Sequence, residues 1–232
     1  MLHKSGYPVL WGVLFLTIAS FVAKDASAKD MRFDIGVGVH GGDPKVTFNG
    51  VSDNLNTDTG FAVSAGIWKD KLFAEKLGQD WLSIGAEYLR LQDSNFSETT
   101  NATVLGGTLT GKLDLKPVTD SFFINLAARS NSNKFGKFHP YLGGGVGLAN
   151  TKVNATFGAT LTVGGSTYAL AGTSDSSDTS LAGQFFVGAD YDLTDKVYVG
   201  AKVRYFMTDA TLFGANTEFR NLIGMAVLGV KF

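Results

Sequence analysis

Charged side chains recur at every second position inside otherwise apolar stretches of this 232-residue chain. In "MRFDIGVGVH", Arg32 and Asp34 alternate with Phe33 and Ile35. Residues two apart share one face of a strand, and charges buried there must pair or line a path for ions. We call the set with this spacing the alternating charges: Arg32, Asp34, Glu87, Arg129, Asp190, Lys202, Arg204 and Lys231.

Motifs for cofactor chemistry are weak. "GVGVHG", with Gly36, Gly38 and Gly41, matches G-x-G-x-x-G, but a polar stretch follows where a dinucleotide site needs a helix. His40 and His139 fall near opposite ends of their strands, which argues against a shared metal site. Cysteine is absent, which excludes thiolate ligands and a cysteine nucleophile. We therefore predict no catalytic residue, no cofactor and no metal.

Composition narrows the class of protein. Hydrophobic residues make up 44% of the chain and charged residues 18%, below the roughly 25% of soluble domains. The formal net charge of −1 offers no basic surface for nucleic acid. A core or a lipid-facing surface is therefore expected, and a nucleic-acid partner is not.

The first residues have the layout of a secretory signal peptide. Lys4 precedes the apolar run 9–23, and Ala26 and Ala28 occupy the positions of an A-x-A cleavage site. The run is short for a membrane anchor of about 20 residues. We predict cleavage after Ala28, which divides the chain into a signal peptide, 1–28, and one domain, 29–232.

The elements that must position the charges are strands, because apolar and small or polar residues alternate with period two. Eight stretches of about ten residues show this pattern, the length that a tilted strand needs to cross a bilayer. An even number of antiparallel strands can close on itself. The predicted fold is all-β: an eight-stranded antiparallel up-and-down transmembrane β-barrel. The stretches begin with "MRFDIG", "GFAVSA", "WLSIGA", "SFFINL", "HPYLGG", "GQFFVG", "VYVGAK" and "NLIGMA".

The connections alternate in length, with long ones at 41–59, 93–119, 152–180 and 208–220. Outer-membrane barrels place such long loops outside the cell. We expect the fifth and sixth strands to extend as a hairpin around Gly164-Gly165. The 69–80 connection is long for its side, and "KLFAEKLG" in it is compatible with one or two helical turns.

Aromatic residues on the apolar faces sort by height into two groups, as membrane interfaces require. The lower group is Phe33, Tyr191 and Phe232, and the upper group is Phe61, Tyr88, Phe122, Phe185 and Tyr205.

The C-terminal "VLGVKF", with Leu228, Val230 and Phe232 spaced by two, resembles the terminal signal that the assembly machinery of bacterial outer membranes reads. "HPYLGGGVGLANTKV" and "GADYDLTDKVYVGAKVRYF" are similar to the fifth strand and the next hairpin of small OmpA/OmpX/OmpW-type barrels. The resemblance implies an integral protein of the bacterial outer membrane, in contact with membrane lipid and lipopolysaccharide.

We expect a structural or surface-interaction protein whose lumen is filled by ion pairs, with an extracellular partner that the sequence does not identify. The alternative is a narrow channel for ions or small hydrophobic solutes. A lipid-A-modifying enzyme is disfavoured, since neither His40 nor His139 stands in a His-x-Ser arrangement. Inside the barrel we predict contact of Glu87 with Lys202 or Arg204, and of Asp34 with Lys231.

Overall fold

The computed structural model describes residues 30–232 except 43, 55–58, 73–79, 94–95, 105 and 131–135. The predicted signal peptide with Ala26 and Ala28, and most of "KLFAEKLG", lie outside the described residues. Within the described part, no helix is long and apolar enough to cross a membrane.

The described part of the chain is a single antiparallel sheet in which eight strands close into a ring. The ring order is β1, β4, β5, β7, β8, β9, β10, β11 and back to β1, so each strand pairs with the next one along the ring. The predicted eight-stranded up-and-down barrel is therefore confirmed. The strands are β1 Met31–Gly41, β2 Lys45–Phe48, β3 Val51–Asn54, β4 Gly60–Lys69, β5 Leu82–Gln92, β6 Phe96–Val104, β7 Gly107–Arg129, β8 Phe138–Val163, β9 Ser166–Asp192, β10 Val197–Leu212 and β11 Ala215–Lys231.

The first and last strands join, as an even number of antiparallel strands allows. β1 pairs antiparallel with β11 from Arg32 opposite Lys231 to Gly41 opposite Leu222. The amide of Phe232 donates to the carbonyl of Met31, which carries the pairing to the last residue. The closed ring leaves no strand edge in the barrel, as a lipid environment demands.

Connections that the sequence predicts as long loops are largely β-structure, which corrects that expectation. β2 and β3 form a hairpin that pairs with β11, and β6 pairs with β7. β8 and β9 stay paired up to Val163 opposite Ser166, as expected around Gly164-Gly165. Pairing with a neighbouring strand satisfies backbone groups that a free loop would leave to water. We call the end of the barrel with these extensions the hairpin end, and the opposite one the short-turn end.

Two-residue turns connect the paired strands in three of these extensions. Asn49-Gly50, Gly164-Gly165 and Phe213-Gly214 all have positive φ at both positions. This geometry matches the twist of the flanking strands and is easiest for Asn-Gly or Gly-Gly. Phe213, with φ of 52°, is an exception to that rule.

Side chains alternate between the lumen and the outer surface along each barrel strand. In β1, Arg32 and Asp34 are buried while Phe33 and Ile35 are exposed. The lumen has room for large rings because a glycine lies directly opposite each of four inward aromatic residues. The pairs are Trp68 with Gly85, Tyr141 with Gly188, Phe186 with Gly143, and Tyr198 with Gly229.

Candidate functional site

The middle of the lumen is organised around Glu87 of β5, which is fully buried. Its Oε1 accepts from Lys202 Nζ at 3.2 Å and from Arg204 Nη2 at 2.5 Å. Its Oε2 accepts from Asn125 Nδ2 at 3.1 Å and from Gln184 Nε2 at 3.3 Å. The predicted contact with Lys202 or Arg204 is present with both. The donors come from β7, β9 and β10, so one carboxylate ties together four strands of the ring.

A second ionic layer lies nearer the short-turn end. Arg32 binds Asp70 through two bonds, Nε to Oδ2 at 2.5 Å and Nη2 to Oδ1 at 3.1 Å. Arg129 donates to Asp190, whose Oδ2 also lies 3.4 Å from Arg32 Nη1. Ser83 Oγ donates to Asp70 at 2.6 Å. The Arg129 guanidinium stacks on the ring of Tyr141, with 4.4 Å between its Cζ and the ring centre.

These two layers balance in charge. Among the described residues, four buried cations face four buried carboxylates. The interior of an eight-stranded barrel is just wide enough for side chains, and each of these charges except Asp34 forms an ion pair across it. Such pairing offsets a desolvation cost that unpaired charges could not sustain. Asp34 Oδ1 is buried without a hydrogen-bond partner among the described residues. The cations are Arg32, Arg129, Lys202 and Arg204, and the carboxylates are Asp34, Asp70, Glu87 and Asp190.

Lys231 corrects one predicted pair. The structure places it half-buried at the short-turn mouth, where its Nζ lies 2.6 Å from both carboxylate oxygens of Asp192. Asp34 is deeper in the lumen, opposite Gly229, and Lys231 lies opposite Arg32. The two side chains of the predicted pair therefore sit at different levels, since Asp34 is one inward position farther along the seam. His139 Nε2 shares Asp192 at 3.0 Å.

Above Glu87, towards the hairpin end, the lumen holds an apolar cluster, which we call the apolar layer, together with buried polar side chains such as Ser121, Thr208 and Asn221. Phe123 and Phe206 meet edge to face with ring centres 6.1 Å apart. Leu89, Leu91 and Ile223 are buried in the same cluster. The described lumen is thus filled by an ionic layer, the Glu87 layer and the apolar layer.

A histidine and a carboxylate lie close together at the hairpin end of the lumen. His40 Nδ1 lies 3.4 Å from Asp93 Oδ1, where Asp93 directly follows β5. Burial raises the pKa of Asp93 to about 6. His139 lies at the other end of the barrel, so the two histidines do not share a site.

The predicted aromatic belt residues all lie on outward positions of their strands. Tyr88 and Phe122 are half-buried and directly opposite each other, and the Tyr88 hydroxyl donates to Asp120 Oδ1 at 2.5 Å. The others are exposed: Phe33, Phe61, Phe185, Tyr191, Tyr205 and Phe232. Leu228 and Val230 share the outward face with Phe232. Their roles as membrane belts and as an assembly signal remain predictions.

Sequence reasoning missed Asp70, which binds Arg32 in the second ionic layer, and Asp192, which binds Lys231 and His139 at the short-turn mouth. Asp70 stands one residue past β4 and keeps the inward parity of Gly66 and Trp68. Continuing the alternation by a single residue would have found it. Asp192 is a half-buried residue at the end of β9, and only the placement of Lys231 and His139 reveals its role.

The arrangement is suited to holding structure. Each Glu87 oxygen already accepts two donors, which leaves no lone pair directed at a substrate. Among the described residues, no group of three or more histidines and carboxylates could hold a metal ion. The site defines a transmembrane β-barrel whose lumen is filled by its own side chains.

The chain belongs to the family described as outer membrane protein beta-barrel domain, which it matches over residues 12–231. It is accordingly an integral protein of the outer membrane of Gram-negative bacteria. No relative with a curated description matches the sequence.

Solved structures similar to this chain include three outer-membrane proteins, all at low sequence identity. Neisserial surface protein A (NspA) is 18% identical with a TM-score of 0.43, covering 86% of this chain and 97% of NspA. OprG from Pseudomonas aeruginosa is 17% identical with a TM-score of 0.42, covering 88% and 97%. The outer membrane protease OmpT from Escherichia coli is 14% identical with a TM-score of 0.45, covering 89% and 98%.

Proposed function

We propose that this barrel is a surface-interaction protein: the lumen holds the fold together, and the extended hairpins carry the function outside the cell. The observation behind the proposal is the contrast between a lumen filled by its own side chains and a hairpin end with long strand extensions. β8 and β9 remain paired from Asn150 opposite Thr179 to Val163 opposite Ser166. At about 3.3 Å per residue this extension reaches roughly 40 Å.

The tip of that hairpin has the character of an interaction surface. Tyr168 and Leu170 are about two-thirds exposed, and Phe157 is nearly half exposed. Large apolar side chains on an extension that needs none of them for a core are typical of contact sites. The lower part of the extension is rich in Ser, Thr and Asp, which keeps it soluble.

Orientation is tested with a membrane-impermeant, amine-reactive biotin reagent on intact cells. We expect modification of Lys116 and Lys152, which are exposed towards the hairpin end. Lys196, which is exposed in the short turn between β9 and β10, serves as the control and should react only after the cells are opened. Modification of Lys196 alone on intact cells would place the hairpins in the periplasm and refute the proposal.

The interaction role is tested by shortening the hairpin. Thr156 and Thr173 are register partners, so joining them through Asn-Gly in place of 157–172 preserves the strands below. The variant should assemble normally, as judged by heat-modifiable gel mobility, and should lose adhesion or cell–cell contacts that the intact protein supports. A photo-crosslinker at position 168 on intact cells should yield an extracellular adduct. Unchanged cell contacts with the shortened hairpin would contradict the role.

The channel alternative has a direct test in planar bilayers. The Glu87 layer and the Phe123–Phe206 layer both cross the lumen, so we expect no unitary conductance at high salt. A steady conductance that disappears when Glu87 is replaced would instead assign transport to the lumen.

A further inference from the structure

A cavity of about 690 Å³ lies at the hairpin end, outside the ion-paired part of the lumen. The β2–β3 hairpin contributes Val46 and Val51 to its wall, β7 contributes Leu115, and the β10–β11 turn contributes Phe213. The volume falls within the roughly 300–1,000 Å³ of small-molecule sites and is too small for a folded partner.

The floor of the cavity is the apolar layer of the lumen. Val153, Leu212 and Phe219 line the cavity and also belong to the cluster that contains Phe123 and Phe206. Beneath that cluster lie Glu87 and its donors. A molecule in the cavity therefore contacts apolar side chains below it, and these lie between it and Glu87.

The lining is uncharged throughout its described residues. Its polar side chains are those of Asn49 and Thr217, and its other members are aliphatic, aromatic or proline. A charged ligand would lose its hydration there without finding a counterion, which is costly. An apolar ligand would gain by leaving water, in proportion to the area it buries.

Phe213, one of the wall residues, has a backbone conformation that is unfavourable for a bulky side chain. Phe213 has φ of 52°, a conformation that bulky residues rarely adopt and that glycine would adopt freely. Its amide donates to Ser176 Oγ at 3.0 Å, and the nearby Thr211 amide donates to Asp178 Oδ2 at 2.7 Å. These bonds fix the turn against β9, so the Phe213 wall is formed before any ligand arrives.

We propose that this cavity binds one uncharged, mostly apolar small molecule, aliphatic or aromatic, with at most one neutral polar group such as a hydroxyl for Asn49 or Thr217. The inference goes beyond the surface-interaction function and does not depend on it, because the hairpin tip and the cavity involve different residues.

Two dyes with the same ring system test the ligand class. The full barrel in detergent-free lipid nanodiscs is titrated with uncharged N-phenyl-1-naphthylamine and with anionic 1-anilinonaphthalene-8-sulfonate. We expect a saturable fluorescence rise at one site per barrel for the uncharged dye, beyond that of empty nanodiscs, and competition by dodecanol. Absence of a saturable component, or equal binding of both dyes, would overturn the proposal.

Matched variants locate the site. Val51→Glu puts a charge in the wall and should weaken dye binding at least tenfold. Val104→Glu puts the same charge on an exposed valine of β6, away from the cavity, and should leave binding unchanged.

Phe213→Gly is informative because glycine suits that turn and the variant is expected to fold at least as well. It should also weaken binding, by several fold. Equal affinities in the wild-type protein, Val51→Glu and Phe213→Gly would assign the dye to another site and refute the cavity.

Discussion

Glu87 is a single residue whose environment is assembled from the whole ring. Its two oxygens accept from Lys202, Arg204, Asn125 and Gln184. Removing one member of a buried ion pair leaves its partners charged and unpaired. At an exposed pair, water solvates the partner that remains. The structure contains both situations, which allows the same substitution to be compared in each.

Glu87→Gln should destabilise the barrel by about 3–5 kcal/mol, because two buried cations lose their carboxylate. The control is Glu218→Gln in β11, where the side chains of Glu218 and its partner Arg220 are 47% and 37% exposed. That change should cost at most about 1 kcal/mol. Urea unfolding in lipid vesicles, followed by tryptophan fluorescence, measures both.

A second change separates charge from packing. Adding Lys202→Met to Glu87→Gln should recover part of the lost stability, because one unpaired cation is then removed. Equal midpoints for Glu87→Gln and Glu218→Gln would contradict the role assigned to Glu87.

Asp93 gives a prediction about pH. Burial raises its pKa to about 6 in the folded protein, above the ordinary value near 3.9. The folded state therefore binds the proton more tightly, and this contribution to stability is complete below about pH 4 and lost as the pH rises through 6. One pKa unit corresponds to about 1.4 kcal/mol, so the loss is up to about 3 kcal/mol.

Asp93→Asn removes this titration while keeping the shape of the side chain beside His40. The stability of the wild-type protein relative to the variant should fall between pH 4 and pH 7. Unfolding midpoints measured in urea across that range test the sign. A wild-type advantage that grows with pH would show that Asp93 is ionised and paired with His40.

At the level of elements, β4 and β5 show how a narrow barrel accommodates large rings. A Cβ added at Gly85 would lie 2.4 Å from a ring carbon of Trp68, its direct partner across the two strands. Trp68 in turn packs edge to face against Phe186 of β9, with ring centres 6.0 Å apart. The ring cannot move aside without disturbing the opposite wall of the lumen.

Gly85→Ala should therefore destabilise the barrel by about 1–3 kcal/mol through overpacking. The matched control is Gly224→Ala on the outer face of β11, where an added Cβ meets no atom within 4 Å. That variant should be neutral or slightly more stable, since alanine restricts the unfolded chain. The temperature at which the compact gel band is lost reports on both, and a similar decrease for the two would argue against steric crowding by Trp68.

At the level of the whole molecule, the chain closes by bringing its last strand to its first. Phe232 is exposed on the outer face and its amide is bound to Met31. The terminal ring thus contributes little to packing inside the barrel. This separation makes it possible to change the predicted assembly signal without changing the lumen.

Phe232→Ala, or one residue added after Phe232, should lower the amount of barrel assembled in the outer membrane. The readout is the fast-migrating, heat-modifiable band of the outer-membrane fraction. Phe138→Ala is the control, because Phe138 is another exposed aromatic near the short-turn end and lies outside "VLGVKF". If Phe232→Ala and Phe138→Ala had equal effects, the loss would reflect a missing interfacial aromatic residue and not a signal.

The sequence by itself determined the number of barrel strands and their inward and outward faces. These features are local, because alternation with period two assigns a face to each residue. The same logic placed Glu87 inside the barrel with Lys202 and Arg204. It predicted only one of the four strand extensions, although Asn49-Gly50 is a strong hairpin signal.

Only the tertiary structure decided which inward residues meet. Strands in a barrel are tilted and staggered, so residues at the same height on distant strands are set by the closed ring and not by any single strand. For this reason Lys231 binds Asp192 and not Asp34, and Asp70 enters the lumen from beyond its strand. The cavity walled by Val51, Leu115 and Phe213 has the same origin, since its walls come from segments far apart in the chain that converge only when the ring is closed.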